Sequence, residues 1–308
     1  MWAARVRSRT SFRRLGSSLP VSNRLIAALL ALLLAACQQK EQARPALWQL
    51  DGPNGERAWL LGTIHALPNP ISLDSPAFDR ATAEATGLVV EVAALDDDKR
   101  TALAFHSLSA VAAAPPITAR ASELDRPVLL KLLTEAKIPA DSFNQMDTWA
   151  AALMLGQAVS ARSGDDSGNG ADRLVLKEMK GKPLAEFEGA ERQLAIFDAL
   201  PEAEQRDLLS AVIRSASTAR EDGRKLQQAW LRGDAAALAA LDHQGLLADP
   251  ELREALLVRR NEAWIAQLLP MLRRGEKPLV AVGTLHLVGQ DGLVTRLEAQ
   301  GFRVTRLQ

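Results

Sequence analysis

The chain has 308 residues, 37 basic and 37 acidic, with 47% hydrophobic and 24% charged side chains. That composition supports a globular core and argues against general disorder. Residues 1–36 hold six of the 37 basic side chains (Arg5, Arg7, Arg9, Arg13, Arg14, Arg24) and no acid. The rest therefore carries 31 basic against 37 acidic residues, a charge of −6. No basic cluster is left, which speaks against nucleic acid as a partner.

The basic start runs into an apolar stretch at 25–36, too short for a comfortable membrane span but suited to the core of a signal peptide. Leu34-Ala35-Ala36-Cys37 resembles the bacterial lipobox, and Cys37 is the only cysteine, so no intramolecular disulfide is expected. These features predict a lipoprotein signal peptide at 1–36, lipidation of Cys37, a polar tether at 37–45 and a membrane anchor. Gln38 after Cys37 resembles the sorting signal for the periplasmic face of the outer membrane.

Beyond the tether, Trp48-Gln49-Leu50 and the apolar run at 58–62 flank Gly52-Pro53-Asn54-Gly55 and predict a β-hairpin. Ser75-Pro76 predicts a helix start continuing to about Ala85, and the run at 87–92 reads as a buried strand carrying one acid. Helices follow at about 97–112, 125–136, 144–161 and 171–180. The polar glycine loop at 163–170 lacks a phosphate-loop pattern. A strand at 182–188 precedes helices at about 202–217, 220–241 and 250–273. The chain closes with a strand at 277–283, a helix at 293–300 and a strand at 302–307. The expected fold is a mixed α/β domain spanning 46–308. Its central sheet is built from both chain ends around a large helical insert.

One phrase occurs twice: Gly62-Thr63-Ile64-His65 and Gly283-Thr284-Leu285-His286, each after an apolar run. Two of the chain's four histidines thus arrive at strand ends, where open α/β sheets bind ligands. Glu91 and Glu188 end strands in the same way. Two imidazoles and two carboxylates are a ligand set for Mn, Co, Zn or Fe, with an open position for an activated water. A carboxylate not used as a ligand would serve as general base, which leaves open which of Glu91 and Glu188 has that role. The glycines would permit close backbone approach, and the Thr63 and Thr284 hydroxyls would orient a histidine or contact substrate. His106 and His243 sit on helical segments without such context. Established zinc-protease and serine-hydrolase patterns are absent.

The segments 59–68, Val89-Val90-Glu91, 181–188 with Gln193-Leu194, 230–234, Arg259-Arg260-Asn261 and 282–293 resemble the TraB/GumN family, in order and over most of the chain. The resemblance implies a core shared with Tiki-type proteases and, more distantly, with erythromycin esterases and haem-binding ChaN-like lipoproteins. It implies that His65 and His286 are the paired motif histidines and that Glu91 is the acid of the first half. By the same resemblance, Glu188, Asp172, Arg260 and Asn261 are functional positions, the last two orienting a substrate carbonyl or carboxylate. Ala171 departs from the family's larger apolar residue. The expected activity is divalent-metal-dependent cleavage of a peptide or small molecule. The alternative is a non-catalytic lipoprotein that binds a peptide or haem.

Overall fold

Strands in chain order are β1 (Glu41–Gln42), β2 (Leu47–Asp51), β3 (Arg57–Thr63), β4 (Ile71–Ser72), β5 (Gly87–Val90), β6 (Leu184–Glu186), β7 (Pro278–Gly283) and β8 (Arg303–Arg306). They belong to a computed structural model that describes residues 40–95 and 97–308. The expected signal peptide, Cys37 and the first part of the tether lie outside the described residues. The remainder of the tether segment is packed: β1 pairs with β4, Ala43 is fully buried, and the Arg44 amide donates to the Leu231 carbonyl.

Six strands form one sheet in the order β6-β5-β7-β3-β2-β8. The fold is mixed α/β, and both chain ends contribute to the sheet, as expected. β2 and β3 are the antiparallel hairpin, with Leu47 opposite Leu61. β3, β7, β5 and β6 run parallel, Thr63 opposite Gly283 and Val90 opposite both Ala281 and Glu186. The carboxyl ends of these four neighbours therefore share one edge. Burial explains their composition: β3 and β7 are covered on both faces, so nearly every side chain is apolar rather than every second one.

Helix Pro76–Glu84 begins as the sequence predicts, with Ser75 Oγ accepting from the Phe78 amide and Pro76 in the first turn. The helix expected at 220–241 is instead two, Ala219–Leu231 and Ala235–Ala239. The chain turns at Gly233, and Asp234 caps the second helix by accepting from the Ala237 amide. Helix Gly189–Asp198 was not expected. The strand pattern before it obscures its start, and Glu188 occupies its N-cap position. The segment read as 250–273 is helical throughout but contains a π turn, Glu254–Val258, between Pro250–Arg253 and Arg259–Arg273.

Buried apolar residues fall into two clusters. One surrounds the sheet with Trp59, Leu60, Val280 and Trp264; the other lies among the inserted helices with Trp149, Leu155, Leu209 and Leu257. Leu285, inside the second Gly-Thr-x-His phrase, packs against both. The histidine phrase therefore sits at the seam between the two cores.

Candidate functional site

The sheet edge delivers the expected residues to one place. His65 follows β3 by two residues, Glu91 follows β5 directly, and His286 ends a single 3-10 turn, Thr284–His286, after β7. Glu188 is set by an extension of the ladder, in which its amide and that of Gly189 both donate to the Glu91 carbonyl. A Cβ added to Gly283 would lie 3.2 Å from Glu91 Oε1, 3.7 Å from His286 Cδ2 and 3.8 Å from His65 Nε2. Three of the four groups thus converge on one backbone position. Gly62 is required by a different approach: an added Cβ would lie 2.6 Å from Thr284 Oγ1. Among the described residues that buried hydroxyl has no hydrogen-bond partner, so Thr284 packs the two repeated phrases together.

Asp172 holds the first histidine. It lies in the first turn of helix Ala171–Glu178, whose Ala171 amide donates to the Ile64 carbonyl. Its Oδ1 accepts from Thr63 Oγ1 at 2.6 Å, and its Oδ2 meets His65 Nδ1 at 2.9 Å. The carboxylate is mostly buried, whereas the imidazole is 72% exposed and turns Nε2 away from Asp172. The Asp172 charge and hydrogen bond raise the His65 pKa from 6.5 to about 9, against the desolvation that opposes it.

The second histidine has the opposite environment. Arg260 Nη1, which can only donate, lies 3.1 Å from His286 Nε2, and Asn261 Oδ1 accepts from Nδ1 at 2.7 Å. Those partners define a neutral ring protonated on Nδ1. Burial, helped by the charges of Arg260 and His65, lowers its pKa to about 3. Asn261 also donates to the His286 and Asp291 carbonyls, which fixes the loop after the turn.

Arg260 joins both halves. Nη2 donates to Glu91 Oε2 at 2.6 Å and to Glu188 Oε2 at 2.8 Å, while Nε donates to Glu188 Oε1 at 2.9 Å. The guanidinium stacks 4.8 Å from the Trp264 ring centre, and Trp264 Nε1 donates to Glu188 Oε1. Glu91 further accepts from the Gly283 amide at 2.7 Å and from Gln193 Nε2 at 3.0 Å. Burial works against its charge, but His286, Arg260, His65 and the Gly283 amide prevail and lower its pKa to about 2. Burial likewise opposes the Arg260 charge, and the two carboxylates outweigh it, raising its pKa. The π turn lies directly before Arg259 and Arg260, a placement that π turns often have beside functional groups.

This arrangement bears on the expected metal. Glu188 is held by Arg260 and Trp264, and the guanidinium already supplies a cation within hydrogen-bonding distance of Glu91 and His286 Nε2. Among the described residues no group of three or more His, Cys, Asp or Glu side chains could hold a metal ion. A divalent cation beside Arg260 would meet its charge directly, so the donors as placed do not fit a metal centre.

Two contributors escaped the sequence reading. The Trp264 ring lies tilted against that of His286, with centres 4.4 Å apart, and also faces Arg260; its spacing of four from Arg260 on one helix is a signal that could have flagged it. Gln193 lies on the unexpected helix, and only its place in the resembling segments marked it. Thr63 contacts Asp172 rather than the cavity floor. Trp230, from the segment at 230–234, braces the first phrase by donating to the Gly62 carbonyl at 2.9 Å.

A cavity of about 820 Å³ has Glu188 and Arg260 in its wall, and two more meet at His65. One of about 590 Å³ includes His65, Glu91, Arg260 and His286 in its wall; another of about 260 Å³ includes Asp172 and Arg173; both share His65, Glu91 and Gln193. No helix among the described residues is long and apolar enough to cross a membrane.

Residues 46–306 match the model of the TraB/PrgY/gumN family, and the chain belongs to that family. It is 27% identical over 270 residues to the uncharacterized protein YbaP of Shigella flexneri and, equally, to that of Escherichia coli strain K12. Each alignment covers 85% of this chain and 95% of the relative. No solved structure matches the chain.

Proposed function

We propose that the protein is a hydrolase of acyl compounds, with a peptide bond as its foremost target. The observation that carries this reading is the meeting of two cavities at His65, Glu91 and Gln193. A substrate lying through both would cross these residues at its reacting bond. With pKa values of about 2 and about 9, Glu91 is ionised and His65 protonated at neutral pH, so the first can accept a proton and the second can give one.

In this reading a water held beside Glu91 attacks the substrate carbonyl carbon, and Glu91 takes its proton. His65 donates a proton to the departing nitrogen, with Asp172 holding the ring. Arg260 keeps Glu91 ionised and positioned, and Asn261 holds His286 in the tautomer protonated on Nδ1. No step is routed through a metal, because the donors as arranged do not fit one.

The test is cleavage of a mixed peptide library by the full chain, read by mass spectrometry. Wild type should cut, whereas Glu91→Gln and His65→Ala should each lose on the order of 10²-fold or more while keeping the wild-type circular dichroism. Undiminished cutting by both folded variants would refute the assignment. Elemental analysis of the same preparations for Mn, Co, Zn and Fe tests the donor argument separately.

A further inference from the structure

The larger of the two cavities at His65 is lined mainly by apolar side chains. Away from His65, Glu91, Gln193, Arg260 and His286, its wall includes Ser215 and Gln244 but is built chiefly by Phe197, Val212, Leu246, Leu256, Leu257 and Leu285. These come from five separate segments: helices Gly189–Asp198 and Glu202–Ser215, the 3-10 turn Gly245–Ala248, the π turn Glu254–Val258, and the second histidine phrase. Phe197, Val212, Leu246 and Leu285 remain partly exposed, so this apolar surface is left unfilled by the fold. At about 590 Å³ the space lies within the usual range of about 300–1,000 Å³ for small-ligand pockets. The cavity of about 260 Å³ on the other side of His65 is less than half as large and mixes Ser167, Asp172 and Arg173 with Val90, Val92 and Leu95 in its wall.

We infer that the larger cavity is a specificity pocket for one bulky apolar side chain, of the leucine, methionine or phenylalanine class, flanking the bond that crosses His65 and Glu91. The smaller cavity takes a small or polar group on the other side. The inference rests on the hydrolase reading for the word "bond", but the pocket itself makes a separate claim about binding. An apolar side chain would displace water from six apolar walls and carry its neighbouring carbonyl to the polar floor. An alanine-sized one would bury far less of that apolar wall. Val212 and Leu246 set the pocket's capacity, and neither touches the polar floor residues through any hydrogen bond.

Two measurements on the full chain keep the pocket and the reaction separate. In the first, cleavage sites in the peptide library are sorted by flanking residue. Wild type should favour Leu, Met or Phe over Ala on one side by on the order of tenfold or more. Val212→Trp should reverse that preference while still cutting alanine-flanked sites. Leu246→Trp, on a partly exposed turn, gives the same readout should the first variant fold poorly. In the second, N-acetylphenylalaninamide and N-acetylalaninamide are titrated by NMR, following the His65 and His286 ring signals. The phenylalanine compound should bind at least tenfold more tightly to wild type, and either Trp variant should abolish the difference. Equal affinity for the two compounds, or a preference that survives both Trp substitutions, overturns the pocket. Selective binding without any cleavage would sustain the pocket and refute the hydrolase reading alone.

Discussion

Replacing Asp172 with Asn tests the organisation of the first histidine phrase most directly. The carboxylate meets His65 Nδ1 at 2.9 Å and raises the ring's pKa from 6.5 to about 9. Asn keeps the shape and an acceptor for Thr63 but removes the charge. At about 1.36 kcal/mol per pH unit, the full rise corresponds to a ceiling of about 3 kcal/mol. The ring is 72% exposed, so solvent screening should reduce the stabilising effect to about 1 kcal/mol. A raised pKa means that this stabilisation is complete below pH 6.5 and disappears as pH climbs through 9. Wild type should therefore lose about 1 kcal/mol of its advantage over Asp172→Asn between pH 6 and pH 10, measured by urea unfolding. In histidine NMR titrations His65 should move from near 9 in wild type toward 6.5 in the variant. A wild-type His65 titrating near 6.5, or a stability gap that is the same at both pH values, would refute the reasoning.

Arg260→Met should strand two carboxylates at the seam and cost about 3–5 kcal/mol in unfolding free energy, whereas Glu188→Gln, which keeps the shape and one of the two acceptor oxygens, should cost less; thermal and urea melts check both. Glu91 has its pKa lowered from 4.5 to about 2, so its contribution is complete above pH 4.5 and is lost as pH falls through 2. Acid titration of stability should show that loss in wild type, and Glu91→Gln should flatten it. Gly170→Ala would put a Cβ 2.4 Å from the His65 carbonyl, so it should destabilise the protein and disturb the His65 signal. Gly156→Ala, in a helix interior with only ordinary contacts to Val212, should instead stabilise by about 0.5–1 kcal/mol in the same urea assay.

Much of this protein is legible without coordinates, and the reason is local. Continuous apolar runs mark β3 and β7 because parallel strands are covered on both faces, and Ser75-Pro76 marks a helix start because a cap and a ring-fixed φ act within one turn. The repeated phrase likewise places His65 and His286 at strand ends, and parallel neighbours then share an edge. The failures are also local in origin. Gly233 and Asp234 split an alanine-rich helical pattern, and a helix beginning at Gly189 lies behind a strand pattern.

What the chain could not declare in one dimension is who partners whom. The two histidines sit in near-identical phrases, yet one receives a carboxylate across 107 positions and the other a guanidinium across 26. The first ring therefore gains a proton and the second is kept neutral, a difference that no property of Gly-Thr-x-His contains. Both glutamates looked equivalent as ligand or base. Arg260 binds both, but tertiary packing adds Trp264 to Glu188 and sets Glu91 at the junction of two cavities. Side-chain chemistry and strand periodicity are written in neighbouring residues. Charge state and role follow from contacts across the fold, and these exist only once the two cores close around Leu285.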